Sequence, residues 1–362
     1  MGVWSFRGGR MWNGSEFERN SGLSYTLPEE SSREIVLADE DILCRGFVDA
    51  HCHFWAPGTS KFLCLAEQML GSSGVVAGVD MGTFGYAGWD AADRFWRATH
   101  TVFTRSFLNI FPEGHVVLEN GSHTPAGDIA IDRLVETFNR AQGRIVGLKV
   151  HLGFGAGYDD DRRWMDVLRK AGDRCNTRVA VHLTGTYLKV EEILSLLQKD
   201  DVLTHVFHGK RGVPLDEDGF YSNAVIAAQN RGVLMDNASG INNFAWSTFF
   251  KAREKDFYPD FMTNDMTFNS WQSNVLRDIP FLISTYEAVG KLPLERIFRA
   301  ITTRAASFAG FSDYGDDRCL VLLQKENTPI TITDSLGEQA HGSGEYLLKV
   351  LLRDGKAVRC PN

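Results

Sequence analysis

The sequence predicts a (β/α)8 TIM barrel with a small β-sandwich domain formed by both chain termini. Between Gly46 and about Phe308, short apolar runs rich in β-branched residues alternate with stretches of helical, 3.6-residue periodicity. Eight such runs are present, which is the strand number of this barrel. Titratable residues recur near the C-terminal ends of these runs, where active sites of such barrels lie.

The first predicted strand is GFVDAHCHF, and the others follow in chain order as GVVAGVDMGTFG, HTVFTRSFLNIF, RIVGLKVHLG, RVAVHLTGT, DVLTHVFHG, GVLMDNASG and DFMTNDM. Helices are predicted between them, for example at residues 160–171, 188–199 and 222–230, with Gly172 at a helix C-cap. A doubly wound open sheet would show the same alternation. The placement of the polar residues therefore favours the barrel, and the strand count alone does not.

Both ends of the chain differ from the middle, because they contain short strand-like pieces such as REIVLA, TPITIT and YLLKVLLRDGKAV. A barrel needs about 250 residues, so a chain of 362 residues leaves room for a small additional domain. Neither end is long enough to bury a core alone. We therefore expect a barrel at residues 46–315 and one β-sandwich formed by residues 1–45 and 316–362.

Composition excludes several classes of protein. No apolar run approaches the roughly 20 residues of a membrane span, and the N-terminus lacks the features of a secretory signal. Six cysteines without CxxC pairing indicate free thiols and a reducing, cytoplasmic location. A net charge of -8 without Lys/Arg clusters argues against nucleic acid and anionic membranes as partners. We expect a small-molecule substrate, and the sequence leaves monomer and homo-oligomer open.

The strongest local signal is His51-Cys52-His53 at the end of the first strand. Side chains on a strand alternate, so both histidines face the barrel interior below its mouth, where two imidazoles can bind one metal ion. In an isolated HxH motif, the two histidines are more often polar residues of the surface than metal ligands. Here, however, later strands carry metal-binding residue types at the same end, namely Lys149, His182, His205 and Asp265.

Lys149 lies in an apolar strand, which is an unfavourable place for an unpaired ammonium group. Desolvation would lower its pKa from about 10.4 and make the neutral amine available. Reaction of that amine with carbon dioxide gives an anionic carbamate whose two oxygens can bridge two metals. The alternative is a lysine that extends from the barrel rim to water or to an ion pair.

Asp265 follows a long insertion and can both bind a metal and move a proton between the attacking water and the leaving group. Asp236 and Asp260 are the rival acids. Two interpretations of His151 stay open, substrate contact and packing, and His208 is interpreted with Lys210 and Arg211 as part of a loop. Further candidate substrate contacts are Tyr187, Asn237, Ser239, Asn242 and Asn243, and Arg105, at the end of the third predicted strand, could bind a carboxylate. For each of these, ordinary loop polarity or a surface ion pair is an equal alternative.

With these motifs the chain resembles the amidohydrolase superfamily, in its branch of dihydroorotase-like deacetylases. The matching strings are GFVDAHCH, VGLKVH, AVHL, LTHVFHG and PDFMTNDM within residues 46–266, with ITTRAASFAGF similar to the helix that closes such barrels. The resemblance implies two divalent metals, usually zinc, with His51, His53 and Asp265 on one metal and His182 and His205 on the other. Carboxylated Lys149 would bridge them. These ligands also accept manganese, iron, nickel or cobalt.

The resemblance implies hydrolysis of an amide or ester bond in a small molecule, and related chains often act on N-acetyl or O-acetyl acids. A hydroxide bridging the metals is the expected nucleophile, and Asp265 is the expected proton shuttle. LMDNASGINNF, at residues 234–244, departs from the family's usual glycine-histidine-glycine stretch, which leaves the substrate open. The rivals are a mononuclear deaminase, which needs an acid near the fifth strand where the first is Glu191, and a non-catalytic scaffold.

Overall fold

The computed structural model describes residues 1–57, 63–115, 123–155, 157–271, 277–314 and 318–359. Strands from the N-terminal part are β1 (Gly2–Trp12), β2 (Phe17–Arg19), β3 (Leu23–Leu27) and β4 (Arg33–Cys44). The middle of the chain contains β5 (Phe47–Cys52), β6 (Val75–Gly85), β7 (Phe103–Asn109), β8 (Ile145–His151), β9 (Val179–His182), β10 (Val202–Thr204) and β11 (Leu234–Asp236). The C-terminal part adds β12 (Cys319–Thr333), β13 (Gln339–Arg353) and β14 (Lys356–Arg359).

The helices of the described chain alternate with the central strands and continue after them. They are α1 (Trp89–Thr99), α2 (Ile131–Arg140), α3 (Tyr158–Cys175), α4 (Val190–Leu196), α5 (Asn223–Asn230), α6 (Trp246–Glu254), α7 (Phe268–Trp271), α8 (Ile279–Ala288), α9 (Leu294–Ile301) and α10 (Thr303–Ala309). Short turns of other helix types lie at Ala66–Leu70, Gly71–Ser73 and Ala126–Asp128. Within the described ranges, no helix has both the length and the apolar character needed to cross a bilayer.

The central strands β5 to β11 form one parallel sheet in chain order. The eighth predicted strand, DFMTNDM, is not a regular strand but occupies the expected place. Phe261 bridges Asp236 of β11, and Met266 bridges Cys52 of β5, both in parallel orientation. This segment therefore closes the sheet into a barrel through single bridges. Its pairing is interrupted near Asp265, whose backbone has a left-handed φ of 48°.

The barrel interior is filled with apolar side chains at the N-terminal end of the strands. Alanines, valines and phenylalanines from the strands pack there against α10, whose Phe308 stacks on Phe107 and Phe261 at ring-centroid distances of 5.9 and 4.6 Å. This helix lies within the ITTRAASFAGF string and closes the N-terminal end of the barrel. The polar residues are consequently left at the opposite, C-terminal end of the strands.

One helix boundary differs from the prediction. Gly172 lies inside α3, and the helix continues to Cys175, where Asn176 ends it in a left-handed conformation. A Cβ at position 172 would lie 2.6 Å from Cγ1 of Val179 at the start of β9. The glycine therefore permits close packing between helix and strand and does not terminate the helix.

Both ends of the chain meet in a second sheet, with strand order β14-β13-β12-β4-β1-β2 and with β3 paired to β1. Strand β4 pairs antiparallel with β12, which places Cys44 beside Val321. The predicted barrel with a β domain formed by both termini is thus confirmed, and the described terminal strands belong to a single seven-stranded sheet. The boundaries predicted at residues 45 and 316 stay a prediction.

Candidate metal centre

A cavity of about 490 Å³ opens at the C-terminal end of the barrel strands. All six residues predicted as metal ligands line it. The lining consists of His51, His53, His115, Lys149, His151, Gly153, Phe154, His182, Thr184, Gly185, His205, Lys210, Asn242, Asn243, Asp265 and Thr267. Fold closure therefore brings together side chains that lie far apart in the sequence.

His51, His53 and Asp265 form a group that could hold a metal ion. The Nε2 atoms of the two histidines lie 3.4 and 3.3 Å from Oδ1 of Asp265, and one ligand atom from each residue lies within 4.8 Å of the others. The two imidazoles share a face of β5 because side chains on a strand alternate. The left-handed backbone at Asp265 turns its carboxylate toward them.

The second ring nitrogen of each of these histidines is held from outside the cavity. His51 donates from Nδ1 to Oδ2 of Asp236 at 2.7 Å. His53 Nδ1 lies 3.0 Å from Oγ1 of Thr83, which in turn donates to Asp80 at 2.5 Å. Because that hydroxyl gives its proton to Asp80, it accepts the proton of His53. Both Nε2 atoms therefore face Asp265 and are the atoms that could bind a metal.

His182 and His205 show the same arrangement on adjacent strands. His182 donates from Nε2 to the carbonyl of Thr184 at 3.0 Å, and His205 donates from Nδ1 to the carbonyl of Ala238 at 2.9 Å. Their ring centroids are 4.3 Å apart. Burial and the neighbouring cationic groups hold the pKa of both imidazoles well below the usual range. Each ring is therefore neutral and keeps one lone pair for a metal.

Lys149 is 1% exposed, so it does not extend to water at the rim. Its Nζ donates to Oγ1 of Thr204 at 3.2 Å, and Thr204 donates to the carbonyl of Val181. Burial lowers the pKa of Lys149 to about 8, against the opposing influence of Asp236 and Asp265. The amine is therefore much easier to deprotonate near neutral pH than an exposed lysine.

Asp265 is a carboxylate, and both of its oxygens contact neighbouring side chains. Burial alone would raise the pKa of this group, but His51, His53 and His205 bring it well below its usual range. Oδ1 faces the histidine pair, and Oδ2 accepts a hydrogen bond of 2.9 Å from Nδ2 of Asn243. The arrangement gives one oxygen for a metal and a second that the Asn243 amide orients.

Gly240 packs directly against Asp265. A Cβ at position 240 would lie 2.7 Å from Oδ2 and 3.1 Å from Cβ of that aspartate. We expect Gly240→Ala to displace the carboxylate and to weaken metal binding about tenfold, measured by competition with a chromogenic chelator. Gly127→Ala is the matched control, because no atom lies within 4 Å of its added methyl group. Unchanged metal affinity in Gly240→Ala would contradict the assignment of Asp265 as a ligand.

Two further histidines near the site, His115 and His123, were missed in the sequence. His115 packs between His53 and His151 at ring-centroid distances of 4.8 and 4.7 Å, and His123 lies 6.0 Å from His151. His151 also stacks on Phe154 at 4.3 Å. His115 lies in the loop after β7 without a motif spacing, and its only signal was its position on a loop at the barrel mouth.

Several polar atoms of this wall have no hydrogen-bond partner within the described residues. They are Nε2 of His115, Nδ1 of His151 and Oγ1 of Thr184, whose side chains are buried and line the cavity. A buried polar group without a partner costs roughly 1–3 kcal/mol, so such atoms call for a ligand or water. For His151 this geometry favours substrate contact over packing.

Other candidate residues are distributed unevenly around the cavity. Asn242 and Asn243 line it as predicted, and Lys210, which was interpreted only as a loop residue, lines it too. Asn237 and Ser239 do not; both are fully buried and hydrogen bond to the hydroxyl of Tyr286. Their role is to anchor the loop after β11 behind the cavity wall.

The remaining predicted contacts also lie away from the cavity. Tyr187 is covered by the guanidinium of Arg211, 3.5 Å from its ring centroid. Arg105 is not at the end of its strand but near the start of β7, where it lies over Phe103. The prediction of a carboxylate contact at the mouth is therefore wrong for Arg105.

The rival acids and His208 have structural partners. Asp236 supports His51, and Asp260 accepts from the backbone amide of Met235 and pairs with Arg304. His208 donates to the carbonyl of Gly212 and accepts from the amide of Lys210, as expected for a loop residue.

Comparisons with known proteins agree with this architecture. No protein-family model matches the sequence. A deacetylase of Brucella anthropi is 26% identical over 310 residues, which cover 81% of this chain and 74% of that protein. A solved dihydroorotase superposes with a TM-score of 0.83 at 20% identity over 98% of both chains. An adenine deaminase superposes with a TM-score of 0.80 at 17% identity, over 98% of this chain and 99% of the other. The solved structures confirm the predicted fold, and the deacetylase agrees with the predicted resemblance.

Proposed function

We propose that this chain is a binuclear metal-dependent hydrolase of the amidohydrolase type that removes an acyl group from a small molecule. One observation carries the proposal. Four imidazoles each have one ring nitrogen fixed by an outer partner, and the other ring nitrogen is left to a cavity shared with Asp265 and Lys149. Outer partners of this kind are typical of metal-binding histidines.

The donor set fits two divalent cations. His51, His53 and Asp265 would hold one, and His182 and His205 would hold the other. Lys149, with its lowered pKa, would bridge them as a carbamate. Zinc is the metal we propose first, although nitrogen and carboxylate ligands also suit manganese, iron, nickel and cobalt. When bound, such ions polarise a carbonyl group and make water acidic enough to act as a nucleophile near neutral pH.

Asp265 is the residue that we propose to move the proton. As a carboxylate it can accept the proton of the attacking water and return it to the departing nitrogen or oxygen. The hydrogen bond from Asn243 keeps Oδ2 in one orientation during this transfer. The unpartnered atoms of His115, His151 and Thr184 lie on another part of the cavity wall and can hydrogen bond to the substrate.

A compact, polar substrate suits this cavity. Its volume of about 490 Å³ is in the range of small-molecule sites. The relative named deacetylase supports an N-acyl or O-acyl bond as the target. We further propose that the substrate is a free small molecule, without a nucleic-acid or membrane partner, and that the enzyme is cytoplasmic. Cys44, Cys52, Cys64, Cys175 and Cys319 form no disulfide, which suits a reducing compartment.

A mononuclear deaminase is less well supported by the site. Asp265 is the only carboxylate among the described residues that line the cavity. Glu191, the first acid after β9 in the sequence, accepts instead from the hydroxyl of Ser222. The part of the wall that the structure describes therefore has no second acid of the kind that such a deaminase uses on a ring nitrogen.

Metal content and hydrolysis test the proposal together. We expect the metal-replete chain to contain close to two divalent ions by elemental analysis. It should release acetate from members of a panel of N-acetyl and O-acetyl compounds, and lose that activity after chelation. One ion per chain with ammonia release from aminopurines would indicate the deaminase. A chain that takes up no metal under metal-replete expression would indicate a non-catalytic scaffold.

A further inference from the structure

The hairpin between β12 and β13 reaches from the terminal sheet to the barrel. Its turn contains Asp334, which is 6% exposed and closes the turn by accepting from the amides of Leu336 and Glu338. Its second oxygen, Oδ2, accepts from the amide of Trp246 at 2.8 Å. Trp246 is the first residue of α6. The carboxylate in the hairpin turn therefore caps the N-terminus of a barrel helix.

The next residue of the turn holds the same barrel segment. Ser335 donates to the carbonyl of Phe244 from both its amide and its hydroxyl, at 2.9 and 2.7 Å. Together with Asp334, it fixes two peptide groups of the loop between β11 and α6. The carbonyl of Phe244 accepts two hydrogen bonds, and the amide of Trp246 donates to Asp334. The backbone between these two groups therefore has little conformational freedom.

This loop carries the amide that touches Asp265. Asn243 directly precedes Phe244, and its Nδ2 donates to Oδ2 of Asp265. On the other side of the loop, Gly240 donates from its amide to the carbonyl of Asn264. The loop is thus held between the hairpin turn and the segment that contains Asp265.

We infer that Asp334 and Ser335 are positioning residues, through which the terminal domain keeps Asn243 against Asp265. The inference rests on the proposed function, because it assigns the metal-binding and proton-carrying role to that aspartate. Its consequence is that the small domain contributes to the active site without lining the cavity. A misplacement of the order of 1 Å at such a carboxylate can change turnover by about 10²-fold, so small movements of the loop matter.

Two hairpin variants, Asp334→Asn and Ser335→Ala, test this inference in the full-length protein. Glu338→Gln is the matched control, since it is an exposed side chain in the same turn. Hydrogen exchange of the peptide covering residues 240–246, measured without substrate, should accelerate at least severalfold in both variants and remain unchanged in the control. Unaltered exchange in both variants would overturn the inference, whether or not the protein proves to be a hydrolase.

The effect on Asp265 is measured with Co²⁺ as the probe. In both hairpin variants the visible absorption spectrum of the bound Co²⁺ should change and its affinity should fall about tenfold. Turnover on whichever acetyl compound the wild-type protein hydrolyses should fall about tenfold, with KM nearly constant.

A double-mutant cycle with Asn243→Ala separates positioning from general destabilisation. If the hairpin acts through Asn243, Ser335→Ala should lower Co²⁺ affinity no further in the Asn243→Ala background. Fully additive losses, or a lowered melting temperature with an unchanged Co²⁺ spectrum, would show a structural role only. A wild-type protein that binds no Co²⁺ would contradict the proposed function, while the exchange experiment would still decide whether the hairpin restrains the loop.

Discussion

Asp265→Asn is expected to lower turnover about a thousandfold while the metal content stays close to that of the wild-type protein. The asparagine keeps one oxygen beside His51 and His53 and keeps the shape of the side chain. It cannot accept and return a proton near neutral pH, and that step is the one assigned to the carboxylate. Metal content is measured by elemental analysis and turnover by acetate release.

The control for this variant is Asp39→Asn, which removes one negative charge from an exposed position of β4. We expect it to retain wild-type turnover. Full activity in Asp265→Asn would refute the proton-transfer role. Loss of the metals in that variant would instead show that Asp265 acts as a ligand whose charge is needed for metal binding.

Lys149→Ala is expected to remove the bridging group and, with it, at least one metal and nearly all activity. The cavity would lose one of the two anions proposed to balance two dications, so the imidazoles and Asp265 alone would have to hold both ions. Elemental analysis and acetate release are again the measurements. Lys170→Ala, an exposed lysine on α3, is the control and should behave as wild type.

The proposed carbamate on Lys149 makes this prediction depend on pH and bicarbonate. The pKa of Lys149 is lowered to about 8, so the reactive neutral amine of the metal-free protein increases as pH rises through that value. Compared with the ordinary pKa of about 10.4, the neutral fraction near pH 7 is larger by roughly 250-fold. Recovery of activity after chelation should therefore require bicarbonate together with metal and should accelerate from pH 6 to pH 8. A carbamate carbon signal from ¹³C-bicarbonate should appear at the same time. Full recovery of activity without bicarbonate would contradict the proposed carbamate.

The barrel and most of the six cavity residues could be predicted from the sequence pattern, whereas Asp265 was preferred to Asp236 and Asp260 because of the family resemblance. Alternation along a strand fixes the common face of His51 and His53, and strand ends in a closed parallel barrel meet at one rim. Lys149 stood out because an ammonium group is costly in an apolar strand. These arguments need only the position of a residue within its own element.

The residues that were missed or misplaced depend on loops and on tertiary contacts. His115 reaches the cavity from the loop after β7, whose path no periodicity specifies. Asn237 looked like a residue of the mouth, but it is buried against Tyr286, which lies on a later helix. Arg105 was misplaced because the residue at the end of β7 is Asn109. The hairpin contact of Asp334 with Trp246 joins two domains and has no local signature at all.

The pairing of β4 with β12 has a consequence for how the molecule is made. On the ribosome, β4 emerges long before its neighbour β12, so the edge of β4 that pairs with β12 has no native partner until β12 is synthesised. Unpaired strand edges are where chains associate wrongly, and the nascent protein must carry one during synthesis of the whole barrel. Completion of the terminal sheet, and with it of the hairpin that holds the loop of Asn243, therefore follows synthesis of the barrel.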